Sequence, residues 1–120
     1  MPSHRIDKVE RLIKEEISLI FLHKMQDATS GFITITRVRV SPDLKQAKVY
    51  VSVLEKEKRE LILDKITNKI GFIRSELAGR IRMKFTPELK FFIDDSLDYV
   101  EKIEGLIGKI HGVDGNKKNN

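Results

Sequence analysis

Between Ile62 and Ile81 the chain keeps one apolar stripe: Ile62, Ile66, Ile70, Ile73, Leu77 and Ile81. Steps of three and four residues place these side chains on one face of a helix. Gly71 sits inside the stripe, where glycine costs about 1 kcal/mol relative to alanine. Pro87 cuts the pattern off, and an apolar run of strand length, Glu88 to Asp94, follows. The stretch therefore predicts two helical pieces from about Glu57, sharing one buried face, with Gly71 at or near their junction. The strand after them, apolar in a run, is expected to be buried on both sides.

The rest of the chain supplies partners for that stripe. Ile6, Val9, Ile13, Ile17 and Ile20, widened by Leu12 and Leu19, predict an amphipathic helix over about Ser3 to Met25. Ser3 is a suitable N-cap, and Asp7–Arg11 and Glu10–Lys14 are acid-before-base pairs that support an exposed face. "QDATSG" breaks the helix. "FITITRVRV", Phe32 to Val40, is β-branched and alternating. "SPDLKQ" has turn chemistry, and Ala47 to Leu54 is a second strand with Ala47, Val49, Val51 and Val53 on one face. The short loop makes these two strands an antiparallel hairpin. Asp95 or Ser96 caps a last helix carrying Leu97, Val100, Ile103, Leu106 and Ile107. The order helix, strand, strand, kinked helix pair, strand, helix is an α+β fold: a three-stranded sheet with helices on one face. One domain over residues 1–110 is expected, with a flexible polar tail over 111–120.

The chemistry is that of a binding protein. The net charge is +5, with 34% charged residues and 40% hydrophobic ones, and the pI is near 9.5. Such a balance points to an anionic partner, nucleic acid before membrane. The absence of cysteine excludes disulfides, thiolate metal sites and a cysteine nucleophile. His4, His23 and His111 form no metal-ligand spacing, and no phosphate-cradling glycine motif is present. Asp94 and Asp95 read better as a strand end and helix cap than as a catalytic pair. No catalytic residue, metal or cofactor is expected. The N-terminus has no apolar signal-peptide core, and the longest early apolar run, Leu19 to Leu22, is too short to span a bilayer. A soluble cytoplasmic protein is expected.

The order of elements resembles a bacterial-type (type II) KH domain. KH domains clamp nucleic acid with a GxxG loop between their two helices. Here the GxxG matches, Gly105–Gly108 and Gly112–Gly115, fall after the last strand, and the inter-helix position reads "KIGFIR". A KH-like fold with a helix kink in place of the loop resembles the ribosome-binding factor A family. "VSPDLKQAKVYVSVL", Val40 to Leu54, matches that family's hairpin. So does "GFIRSELAGRIRMKFTPELKFFIDDS", Gly71 to Ser96, through its "GFIRS", "R-x-K" and "PEL-x-FF" elements. The resemblance covers about Arg5 to Leu106. It departs at the kink, where the family's Ala-x-Gly is Lys69-Ile70-Gly71. Gly71 keeps the part that lets the backbone bend, and Lys69 adds a charge.

The resemblance implies an assembly factor rather than an enzyme. It implies binding to the free small (30S) ribosomal subunit as a monomer, with possible contact to ribosomal proteins and help in late maturation of 16S ribosomal RNA, including its 5′ end region. It also implies a role in cold adaptation and release before or as the subunit enters translation. An assembly GTPase is a further candidate partner. The alternatives are a generic KH-type RNA-binding protein, which the missing loop disfavours, and a basic protein–protein adaptor, which no residue excludes.

Charge places the candidate RNA contacts. From Lys65 to Lys90 the chain has Lys65, Lys69, Arg74, Arg80, Arg82, Lys84 and Lys90 against only Glu76 and Glu88. Arg74 follows Gly71 by one turn, and Ala78 and Gly79 are small enough for close approach of a sugar–phosphate backbone. Arg80 and Lys84 are expected to be i, i+4 neighbours with Arg82 on an adjacent face, so that together they contact successive phosphates. Arg37 and Arg39 are expected to share a strand face with Ile33 and Ile35, flanked by Lys45 and Lys48. They serve either RNA or the protection of a sheet edge by charge. Tyr50, Phe91 and Phe92 are candidates for stacking on bases; adjacent Phe91 and Phe92 point to opposite faces, so at least one is core, and the core is the first expectation for all three.

Overall fold

The computed structural model describes residues 3–25, 33–96 and 98. The predicted break after Met25, most of the last helix (from Val100 through Ile103, Leu106 and Ile107), both GxxG matches, His111 and the tail lie outside the described residues.

The first helix, α1, spans Ser3–Lys24. Its stripe buries Ile13, Ile17, Ile20 and Phe21, while Leu19 and Leu22 face outward. Strands β1 (Ile33–Val40) and β2 (Gln46–Val53) pair antiparallel. Their turn is built by Asp43, whose Oδ1 accepts from the Ser41 hydroxyl at 2.6 Å and the Lys45 N–H at 3.0 Å. Leu44 turns through the left-handed region at φ 61. A short 3₁₀ turn at Lys56–Lys58 leads into α2 (Arg59–Asn68) and α3 (Ile70–Arg80). These helices make the crossover that a parallel strand pair requires: β3 (Glu88–Ile93) lies parallel beside β2, giving the order β1-β2-β3.

The core lies between the helices and one sheet face. Ala47, Val49, Val51 and Val53 are buried against Ile13, Ile17, Ile62, Ile66, Ile73 and Leu77. Phe21 of α1 meets Phe91 of β3 at 5.9 Å between ring centroids. Two ion pairs tie α1 to α3, Arg80–Glu16 at 3.4 Å and Lys24–Glu76 at 3.8 Å. The Val40 N–H at the free edge of β1 donates to Glu10 Oε2 at 2.8 Å, which fastens α1 to the sheet.

Three local expectations are corrected and one is made more specific. β3 is an edge strand with a buried face formed by Leu89 and Phe91, while Glu88 and Lys90 are exposed; it is not buried on both sides. β1 does not alternate throughout. The register shifts between Ile35 and Arg37, so Ile35 and Val38 are both buried. That bulge at Thr36 puts Arg37 and Arg39 on the face opposite Ile35. The helix break falls at Lys69 (φ −107, ψ 11), and Gly71 lies near it as expected, in the first turn of α3. Finally, α3 ends at Arg80, and Ile81 is extended (φ −108, ψ 151), so Arg80 and Lys84 are not neighbours on a helix.

Candidate nucleic-acid interface

The strand pairing sorts the predicted basic residues into two surfaces. One is the end of the sheet where β2 and β3 begin. There the Glu88 N–H donates to the Lys45 carbonyl at 2.9 Å, which seats the hairpin turn beside the segment entering β3. The N-terminal turn of α2 lines one cleft with Ile93 and Asp95 at the opposite end of β3. α2 therefore runs back toward this end and delivers Lys69 at the kink. Lys45 in the turn, Lys69 just before α3, and Arg82 and Lys84 in the segment after it are all exposed, and Lys65 is half-buried on α2. Two aromatic rings stand in solvent beside them. Phe72 has Lys69 Nζ at 5.8 Å from its centroid. Phe85 has Lys84 Nζ at 5.7 Å and is 70% exposed.

Arg74 and Arg80 are engaged by the protein itself. The Arg74 Nε donates to the Pro87 carbonyl at 3.1 Å and its Nη2 to the Thr86 carbonyl at 2.6 Å. It thereby fixes the bend that carries the chain into β3. Arg80 turns to Glu16 on α1. Gly71 leaves bare backbone on the surface: a Cβ built there meets nothing within 4 Å. Neither space nor backbone angle inside the protein demands a glycine at this position.

The second surface is the outer face of the sheet. Arg37, Tyr50 and Phe92 are partners across the three strands, and so are Arg39, Lys48 and Lys90. The Tyr50 and Phe92 rings stack at 5.5 Å with an interplanar angle of 28°. The Arg37 guanidinium lies 4.4 Å from the Tyr50 centroid. Of the aromatics expected in the core, only Phe91 is there; Tyr50 and Phe92 are half-buried on the outer face. Sequence alternation places Lys90 and Phe92 opposite Leu89 and Phe91, but the β2–β3 register that brings them beside Lys48 and Tyr50 has no local signal.

Asp94 ends this face as a structural group. Hydrogen bonds from Ser96 and from the Thr36 hydroxyl hold its carboxyl down to about 2. Hydrogen bonding to Ser41 and to the Lys45 backbone also lowers the Asp43 carboxyl. A bidentate pair with Arg59, at 2.6 and 2.9 Å, lowers that of Asp98. Among the described residues no group of three or more histidines or carboxylates could hold a metal ion. No described helix is long and apolar enough to cross a membrane.

A β-α-α-β core of this order, preceded by a helix and a strand and lacking a loop between its central helices, defines a KH-like domain. The chain belongs to the ribosome-binding factor A family, whose model matches residues 5–107. That family is one of ribosome-binding factors, not of enzymes. The chain is 43% identical to ribosome-binding factor A of Thermodesulfovibrio yellowstonii over 91% of this chain and 92% of that protein. Its fold is similar to the crystal structure of ribosome-binding factor A from Thermus thermophilus, with a TM-score of 0.66 over 73% of this chain and 94% of that one, at 24% identity. It is also similar to a homology model of the Thermus thermophilus factor fitted into a cryo-electron-microscopy map of its 30S complex. There the TM-score is 0.54 and the identity 27%, over 78% of this chain and 96% of that one.

Proposed function

We propose that this protein binds the free small ribosomal subunit and assists late maturation of its 16S ribosomal RNA, including the 5′ end region. The carrying observation is the set of exposed cations Lys45, Lys69, Arg82 and Lys84 on a KH-like core with no clamping loop. Cations alone contact phosphates and read shape rather than sequence. The Thermus thermophilus relative in a 30S complex supports the small subunit as partner.

Within this reading Lys45, Lys65, Lys69, Arg82 and Lys84 contact phosphates. Bare backbone at Gly71 lets RNA approach the kink. Arg74 and Arg80 hold the shape of that surface. Arg37 and Arg39 extend the positive field across the sheet. The protein acts in the cytoplasm as a monomer, as one domain over 1–110 with a polar tail over 111–120. Its contribution is largest in the cold, and an assembly GTPase acts with it.

Co-sedimentation with small subunits, large subunits and whole ribosomes across a salt series tests this. Binding confined to free small subunits, weakening as salt rises, is expected. Equal binding to all three particles, or to none, overturns it in favour of a generic basic binder or an adaptor for an acidic protein.

A further inference from the structure

We propose that the outer face of the sheet is a second RNA site, one that takes unpaired nucleotides by stacking a base against the Arg37–Tyr50–Phe92 row. It rests on the reading that the partner is RNA, and adds which form of RNA and through which groups.

Three observations carry it. First, Arg39, Lys48 and Lys90 stand directly opposite one another on three adjacent strands. Like charges in that arrangement repel. All three are exposed, and among the described residues none has an ion-pair partner. An anionic ligand removes that repulsion. Second, the neighbouring row is Arg37, Tyr50 and Phe92, with the two rings already stacked and the guanidinium over one of them. Rings and guanidinium planes are the groups on which unpaired bases stack. Third, all the described helices lie on the opposite side of the sheet, so no described element covers this face.

The two rows are two residues apart along each strand, about 6.8 Å. A base on the aromatic row thus has its own phosphate within reach of the cationic row. Duplex RNA hides its base faces within its own stack and engages only the cations. An acidic peptide likewise leaves the aromatic row unused. The acids on this face do not oppose the ligand strongly: Asp94 is engaged by Thr36 and Ser96, and Glu88 lies beyond the cationic row.

The test uses the full chain and two labelled RNAs, an unstructured strand of about twelve nucleotides and a hairpin duplex with the same number of phosphates. Fluorescence anisotropy gives both affinities for the parent and for Tyr50→Leu, with thermal melting as the check on folding. The parent is expected to prefer the single strand, and Tyr50→Leu to weaken that binding by about tenfold while leaving the hairpin unchanged. Equal binding of both RNAs by the parent, or an unchanged Tyr50→Leu variant, overturns the proposal. If Tyr50→Leu fails to fold, Lys90→Gln on the open edge strand decides. It should lower the slope of log K against log salt for the single strand by about one, and an unchanged slope overturns the proposal. Loss of this site with small-subunit co-sedimentation intact leaves the ribosomal reading standing; loss of co-sedimentation in the parent removes that reading instead.

Discussion

Thr36 on β1 and Asp94 just past β3 are 58 residues apart in sequence, and the Thr36 hydroxyl donates to Asp94 Oδ2 at 2.6 Å. The bond reaches over β2 and ties the bulge in the first strand to the exit from the last. The Ser96 N–H donates to the other carboxylate oxygen at 2.9 Å.

The pH dependence follows from that pair. The folded carboxyl titrates at about 2, below its ordinary 3.8. Its contribution is complete above the ordinary value and is lost as the pH falls toward the folded one. Asp94→Asn should therefore be less stable than the parent at neutral pH. The gap should close between about pH 4 and pH 2. Urea midpoints measured across that window check it, and a constant gap would show that the carboxylate charge is irrelevant.

Arg74→Gln should cost about 1–2 kcal/mol of stability, because the guanidinium satisfies two backbone carbonyls at the entry to β3. Its effect on the salt slope of subunit binding should be small. A full-stability variant with a reduced slope would instead make Arg74 a phosphate contact.

The triple change Lys69→Gln, Arg82→Gln and Lys84→Gln should leave the melting temperature near the parent's, since all three side chains are exposed. It should reduce the salt slope of small-subunit binding by about three. An unchanged slope would move the interface away from these residues.

Gly71→Ala should raise stability by about 0.5–1 kcal/mol, as a helical glycine whose added Cβ meets open space. The same change should weaken subunit binding if RNA backbone packs on the kink. Stability from urea melts and affinity from co-sedimentation would then move in opposite directions.

Two leucine-sized changes on α2 should separate its faces. Ile66→Ala, at a fully buried position, should cost about 2–5 kcal/mol. Leu61→Ala, at a position 56% exposed, should stay within about 0.5 kcal/mol. Similar costs for both would mean that Leu61 is covered in solution.

What could be read from the sequence was periodic. The stripe from Ile62 to Ile81, the alternation of Ala47, Val49, Val51 and Val53, and the turn at Ser41 to Gln46 are local patterns with periods of about 3.6 and 2 residues. They determined the elements from α1 to β3, their order and the core face, which the structure shows. The motifs from Val40 to Leu54 and from Gly71 to Ser96 determined the family. Tertiary structure alone decided which charges are free. Arg80 and Lys84 look like one helical pair in sequence, yet α3 ends between them, and Arg80 meets a glutamate 64 residues earlier. One inserted residue at Thr36 reversed the face of Arg37 and Arg39, because side-chain direction in a strand flips with every residue. The rows of the outer face are completed only by pairing between β2 and β3, whose inner residues Val49, Leu89 and Phe91 lie in the core with the helices. No window of neighbouring residues contains that information.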